Sequence, residues 1–368
     1  MKHQIAIIGG QLLPIYIGIK EFCPDTIHLV VSNQSKDQLN LLLPLLSGKI
    51  VLQYTCDAYD FKAIKDLCEK IVSKIGNYDE LQFNLTGGTK IMVLAAQAVI
   101  LEKQIAGFYI NPDNTYSDLL SYTKKPILCT VSINEFMKLS GHTSFSYKSI
   151  SDYNGDDLNC SRKIEAFAET EQSKYKTITT YFRNNFKVND AQFPVSGVVK
   201  VNNIDISWNK NSIVATINGR PLVNFVSKNV KDLFFNAAWW ELLVAEEIVK
   251  WNKAKEVLIK FELPFKSISS QLKNEIDVLI NLGKKLIFVE CKSGQIKPED
   301  INKMKIIKET YGGHISKSIL VSRFPPNATI IEKCRELDID IFYPSLGSQK
   351  PLLKLINGLD ALAKKLSV

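Results

Sequence analysis

Hydrophobic and polar positions follow two rhythms along the chain. From residue 1 to about 122, short β-branched runs (Gln4 to Ile8, Ile27 to Val31, Ile50 to Tyr54, Leu81 to Leu85, Ile105 to Ile110) alternate with amphipathic segments such as Ser35 to Leu46 and Asp60 to Ile75. Apolar runs separated by helix-period segments predict a parallel sheet covered by helices, with a last strand at Tyr116 to Tyr122. In a doubly wound sheet of this kind ligands sit at the carboxyl ends of the strands. Residues 125 to 228 are less regular. His142 to Ser161 reads as a polar linker, Arg162 to Phe186 as helix, and Val198 to Val226 as short strands turning at Asn202-Asn203 and Asn218-Gly219. From 229 the pattern predicts a helix (Lys231 to Trp251) and three strands (Val257 to Leu263, Glu275 to Ile280, Leu286 to Cys291). A helix opened by Pro298, a strand (Ile315 to Ser322), a helix (Ala328 to Leu337), a strand (Ile339 to Tyr343) and a terminal helix follow. The expected organisation is α/β, with domains over 1–124 and 229–368 and a connector over 125–228.

Charge separates the two ends. The chain has 368 residues with 46 Lys+Arg against 38 Asp+Glu, a net charge of +8. Met1 to Ser140 holds 13 Lys, no Arg and 13 acidic residues, so the whole excess lies beyond residue 140. A polyanion would therefore be held by the C-terminal part. Hydrophobic content of 45% with 23% charged residues excludes disordered, collagen-like and disulfide-scaffold classes. Seven cysteines form no CxxC pair and have four His beside them, which indicates neither a zinc site nor a disulfide framework and suits reduced thiols in a cytoplasm. The N-terminus runs directly into an apolar strand without signal-peptide features, and the longest apolar stretch, Ile91 to Leu101, is too short to span a bilayer. The expectation is a soluble cytoplasmic protein with no membrane partner.

Two places carry candidate chemistry. After the strand Leu81 to Leu85 comes Thr86-Gly87-Gly88-Thr89-Lys90, followed by the helix Ile91 to Glu102; Gly9-Gly10-Gln11 occupies the equivalent position after the first strand. Glycines let backbone N–H groups approach a ligand, the helix N-terminus adds positive potential, and Thr and Lys add donors. Neither loop is a Walker A sequence or a complete GxGxxG, which weighs against ATP hydrolysis and dinucleotide binding. Tight strand-to-helix turns account for the same glycines equally well.

Further on, Glu275 to Ile280, the turn Asn281-Leu282-Gly283-Lys284, and Leu286 to Lys292 read as a β-hairpin. Alternation puts Glu290 and Lys292 on one face, with Cys291 on the other, and the hairpin brings Asp277 beside Glu290. Two carboxylates there would hold Mg²⁺ or Mn²⁺ through oxygen, with the Cys291 carbonyl as a further ligand and Lys292 orienting a water. Glu241 stands on an apolar helical face (Ala237, Ala238, Val244, Ala245, Ile248), where a carboxylate needs a partner. As letters alone, Asp…Glu-x-Lys also describes a solvated strand end; the apolar Leu-Ile-Phe-Val strand and the αβββαβ order around it favour a site. Lys266, Lys273, Lys297, Lys303 and Lys305, with Phe265, could follow a nucleic-acid backbone.

The N-terminal part resembles the CRISPR-associated Rossmann-fold (CARF) domain, through Gly87, Gly88, Thr89 and Lys90 and the strand order. The C-terminal part resembles the PD-(D/E)XK nuclease superfamily, through Asp277, Glu290 and Lys292, with Ile276 where the proline would stand. Glu241 lies on the helix that often supplies an extra acid in that superfamily, and Glu275 is an alternative. The resemblance implies a Rossmann-like sensor joined to a restriction-endonuclease-like domain, as in the accessory nucleases of type III CRISPR defence. It further implies a homodimer that binds cyclic oligoadenylate, cyclic tetra-adenylate foremost, across its two-fold axis at Gly9, Gly10, Gln11, Ser32, Asn33, Thr86, Gly87, Gly88, Thr89 and Lys90. Binding would activate cleavage of single-stranded DNA and RNA, with nicking of duplex DNA also allowed. The rival readings are a CARF-regulated nucleic-acid-binding regulator that does not cut, and a ring nuclease degrading its own activator.

Overall fold

The computed structural model describes residues 1–142, 144–186, 193–264, 273–312, 316–344, 352 and 354–366. The predicted Phe265 and Lys266 lie outside these residues. Contacts divide the chain into two units. One is Met1–Ser144 with Asn281–Lys285 and Ala363–Val368, and the other is Phe145–Ile280 with Leu286–Leu362.

The first unit contains β1 (His3–Ile7), α1 (Leu13–Phe22), β2 (Thr26–Ser32), α2 (Leu39–Leu42), β3 (Ile50–Cys56), α3 (Phe61–Ile75), β4 (Leu81–Asn84) and α4 (Lys90–Lys103). It continues with β5 (Ala106–Ile110), β6 (Thr115–Asp118), β7 (Lys124–Pro126) and α5 (Ile133–Leu139). Its sheet runs β3-β2-β1-β4-β5-β6-β7, with the first five strands parallel and the last two antiparallel. The order reverses between β1 and β4, so the loops after these two strands flank the crevice where such sheets take ligands. One face is closed by α3 and α4: Ile64, Cys68 and Val72 meet Ala95, Ala96 and Val99 over Ile5, Ile7 and Phe83. Asp60 caps α3 by accepting from the Ala63 amide at 2.9 Å. The amphipathic stretch Ser35 to Leu46 forms one short α-helix between two 3₁₀ turns, because Pro44 cannot donate to the preceding turn.

The second unit contains β8 (Ser146–Lys148), α6 (Gly155–Thr170), α7 (Gln172–Asn185), β9 (Gly197–Val201), β10 (Ile204–Trp208), β11 (Ser212–Ile217) and β12 (Arg220–Val226). Next come α8 (Val230–Phe235), α9 (Ala238–Val249), β13 (Glu256–Pro264), β14 (Lys273–Asn281), β15 (Leu286–Lys292), α10 (Pro298–Ile307), β16 (Lys317–Ser322), α11 (Ala328–Glu336) and β17 (Ile339–Phe342). The terminal helix α12 (Leu355–Lys365) ends the order. The main sheet is β17-β16-β15-β14-β13-β8, and β9 to β12 form a separate antiparallel sheet. Two-residue turns at Asn202-Asn203 and Asn218-Gly219 make the smaller sheet, with Asn202, Asn218 and Gly219 all at positive φ.

The stretch read as a connector is divided: residues to 144 fall in the first unit and those from 145 in the second. β8 pairs with β13 at the edge of the main sheet, and the helical part is two helices. The single helix expected over 231 to 251 is also two, broken at Ala237, which is left-handed at φ +59. The turn Asn281–Lys285 belongs by its contacts to the first unit, although the strands it joins lie mostly in the second. Asn281 donates to the Val131 carbonyl at 2.7 Å and Lys284 to that of Ile127 at 2.8 Å. Among the described residues no helix is long and apolar enough to cross a membrane.

Candidate active site and ligand cradle

The loops after β1 and β4 fit together only because they are glycine. A Cβ on Gly87 would lie 2.3 Å from the Ile7 carbonyl, and one on Gly9 2.5 Å from the Gly88 amide. Gly88 is at φ +84. Thr89 is the N-cap of α4: its hydroxyl accepts from the Met92 amide at 3.2 Å and donates to the Ala58 carbonyl at 2.6 Å. Thr86 donates to Asn84 at 2.6 Å and accepts from the Ile110 amide at 3.0 Å, so its hydroxyl is occupied within the sheet. Ser32 is buried, with its hydroxyl 3.1 Å from that of Ser35. Gly10, Gln11, Asn33, Gly88 and Lys90 are exposed at these loops. Of the ten predicted cradle residues, then, Gly9 and Gly87 set the close approach of the two loops. Ser32, Thr86 and Thr89 use their hydroxyls internally, and the other five are open to a ligand. Asn84, which sequence reasoning passed over, is buried and holds both the amide and the hydroxyl of Thr86.

In the second unit, β14 and β15 bring Asp277 beside the end of β15, where its carboxylate accepts from the Cys291 amide at 2.7 Å. Glu290 and Lys292 share a face and pair at 2.8 Å; Lys292 also reaches Asp300 at 3.2 Å. Asp300 is fixed by its place in the first turn of α10, where it accepts from the Lys297 amide at 2.8 Å. Glu241, in the first turn of α9, turns toward the same place. Glu241, Glu275 and Asp277 offer carboxylate oxygens that all lie within 4.8 Å of one another.

The metal set expected from the sequence was Asp277, Glu290 and the Cys291 carbonyl. The structure brings the carboxylate of Asp277 together with those of Glu241 and Glu275, and Glu290 pairs with Lys292. The Cys291 thiol is buried and its pKa is pushed well up by that burial, so it offers no thiolate. Lys297 and Lys303 are exposed, and Lys305 pairs with Glu309 at 3.2 Å.

Electrostatics mark the carboxylates as under-compensated. Burial first, then Glu290 and Glu241, push the Asp277 carboxyl well above the usual range. Glu241 is pushed up to about 8, again mainly by burial, against the pull of Lys260 and with Asp232, Glu275 and Glu290 adding to it. One of its oxygens is buried without a hydrogen-bond partner. Burial works against the Lys292 ammonium, but Glu290, Asp300 and Asp277 outweigh it and hold its pKa up. Lys260 and Asp232 pair at 2.7 Å, and Lys292 takes Glu290 and Asp300, which leaves Glu241, Glu275 and Asp277 without an ion-pair cation of their own among the described residues. Three crowded carboxylate oxygens, with the pKa values of Glu241 and Asp277 raised, are the donor set of a hard divalent cation.

Lys260 had no sequence signal. It sits at φ +50 beside an irregularity in the pairing of β13 with β8, and such a bulge re-aims a side chain.

Residues 4–136 match the model of the Card1 CARF domain, and residues 228–354 match that of the Card1-like endonuclease domain. Together they describe a CARF domain followed by an endonuclease domain. The chain thus carries a Card1 CARF domain and a Card1-like endonuclease domain.

Solved structures share the architecture over almost the whole chain. Can2 from Sulfobacillus thermosulfidooxidans, in complex with cyclic tetra-adenylate, aligns with a TM-score of 0.69 at 16% identity over 98% of this chain and 99% of its own. Protein VC1899 from Vibrio cholerae gives 0.73 at 13% identity over 100% and 98%. A type III CRISPR defence DNA nuclease activated by cyclic oligoadenylate gives 0.58 at 14% identity over 97% of this chain and 51% of its own. Identities this low establish a shared fold. No curated protein matches the chain significantly.

Proposed function

We propose that the chain is a cyclic-oligoadenylate-activated, metal-dependent nuclease of type III CRISPR defence, acting on single-stranded DNA and RNA as a homodimer. The observation that carries the catalytic reading is the cluster of Glu241, Glu275 and Asp277 beside Lys292, on a hairpin with the Asp277…Glu290-x-Lys292 pattern. These three carboxylates would hold Mg²⁺ or Mn²⁺. The ion supplies a water of lowered pKa and offsets charge on the phosphodiester. Glu290 and Asp300 hold the Lys292 ammonium from two sides, so that it donates in a set direction to the attacking water or to a phosphate oxygen. The Cys291 amide fixes one oxygen of Asp277 and so its orientation toward Glu241.

The cradle of the first unit suits a compact cyclic nucleotide. It offers backbone amides at Gly10 and Gly88, the Gln11 and Asn33 carboxamides and one cation, Lys90, at the start of a helix. Cyclic tetra-adenylate, the ligand of Can2, is the expected activator, with metal and activator both required.

The test is cleavage of end-labelled single strands by the full chain with Mg²⁺, Mn²⁺ or EDTA, each with no activator or with cyclic tri-, tetra- or hexa-adenylate. Product in the metal lanes that also contain an activator is the expected result. Activator-induced DNA binding without product in any metal would replace the reading with that of a regulator.

A further inference from the structure

A cavity of about 500 Å³ opens in the second unit next to the carboxylates and is used by nothing above. Chain continuity places it. Its wall includes Ser293 and Gly294, which directly follow Lys292, and Ala237, one turn before Glu241. It also includes Arg323, whose amide donates to the Lys292 carbonyl at 2.8 Å. The opposite wall is one face of α7, where Gln172, Lys176, Thr180 and Arg183 recur at helical spacing and are all exposed.

Its chemistry is the reverse of the neighbouring acid cluster. The lining has three cations, Lys176, Arg183 and Arg323, and no carboxylate. Lys176 and Arg183 have no ion-pair partner among the described residues. Half-buried Tyr175 and Phe324 and buried Phe234 and Phe235 add aromatic surface to the lining. Arg323 is stacked between Trp239 and Phe324, with its guanidinium 5.3 and 5.0 Å from the two rings, and is 7% exposed. That packing fixes Phe324 as a rigid platform. Unpaired cations beside aromatic faces form the recognition surface of single-stranded nucleic acid: the rings stack bases and the cations take phosphates. A volume of this size suits a single nucleotide, and a base enters such a pocket only when it is out of the stack.

We infer that this cavity is a nucleotide subsite, holding one unstacked base of a single-stranded polynucleotide against Phe324 while Lys176 and Arg183 bind the flanking phosphates. The inference rests on the nuclease reading and adds to its single-strand substrate a place in the fold: a cavity that takes one unpaired base beside the carboxylates.

The measurement is fluorescence anisotropy of labelled dT, rU and duplex oligonucleotides with the full chain in EDTA, with and without cyclic tetra-adenylate. Binding is read independently of cleavage, so a failure of the subsite and a failure of the nuclease reading are distinguishable. Phe324→Ala is expected to weaken single-strand binding roughly tenfold with an unchanged salt slope. Lys176→Ala/Arg183→Ala is expected to lower that slope by about 1.4, the value for two single-strand phosphate contacts. All three changed positions line the cavity, and neither variant should alter duplex binding by more than about twofold, within ordinary scatter. Wild-type single-strand affinity in both variants overturns the subsite, and so does an equal loss for duplex.

Discussion

The loops after β1 and β4 and the hairpin β14–β15 both sit at strand ends, yet they prepare for anions in opposite ways. The cradle lies in a part of the chain with no net charge and closes by removing side chains, since Gly9 and Gly87 let two backbone turns touch. The hairpin lies in the basic part and crowds carboxylates until their pKa values rise, a state stabilised by a cation. Backbone amides suit a small ligand whose shape must be read, whereas concentrated charge suits a metal that acts on any phosphodiester. In the proposed function, the net positive charge falls in the part that would hold the polymer, and the residues proposed to cut it are acidic.

The largest effect that breaks this comparison should come from Asp277→Asn. Cleavage is expected to fall by about 10³-fold or more, several kcal/mol of transition-state stabilisation. The same change relieves repulsion with Glu241 and Glu290 and keeps an acceptor for the Cys291 amide, so the metal-free protein should melt no lower than wild type. Intact activator-dependent cleavage in this variant would rule out the metal assignment.

Gly87→Ala comes next. Its methyl meets the Ile7 carbonyl and Ile15, so the loops must part, at a cost of about 1–3 kcal/mol in stability and with loss of activator binding by calorimetry. Lys90→Ala removes an exposed ammonium instead. Melting should be unchanged while the activator concentration for half-maximal cleavage rises about tenfold, the worth of one charge-assisted hydrogen bond. An unshifted activator titration would count against the cradle.

The expected effect of pH has opposite signs in the two units. His28, buried against His3 and Tyr54 in β2, has its pKa lowered to about 4 by burial and then by His3. Between that value and the ordinary 6.5 the unfolded chain binds the extra proton, so the first unit loses stability as pH falls through this window, by about 3 kcal/mol at most. Glu241, raised to about 8, keeps its proton in the folded state, so the metal-free second unit loses stability as pH rises from about 4.5 toward 8. All four tryptophans (Trp208, Trp239, Trp240, Trp251) belong to the second unit. Tryptophan fluorescence therefore follows that unit alone, and hydrogen exchange at β1 and β2 follows the other. Parallel pH trends in the two signals would refute the opposition, and Mg²⁺ should flatten the second.

Much of this was legible in the residues. Apolar runs and helical spacing located the strands of both main sheets to within a few residues, except the short edge strands β7 and β8, because side-chain periodicity is a local property. The pattern also placed Glu290 and Lys292 on one face and Asp277 beside them. Where it ended was at long-range pairing. Glu275 joins Glu241 and Asp277 through pairing that no local pattern shows, and Glu290 pairs with Lys292 beside them. Lys260 approaches Asp232 through a bulge that exists only once β8 is added to the sheet. The break at Ala237, a good helix former, gave no warning, and tertiary packing overrides such propensity.

The chain's own order of residues thus determined the elements, the glycine cradle and the chemical type of each site, since these depend on neighbours a few positions apart. Which carboxylates meet, which lysines compensate them, and that α7 of the presumed connector walls a basic cavity beside them were decided by folding. Those choices depend on contacts between segments as far apart as Lys176, Glu241 and Arg323, and no local pattern encodes such distances.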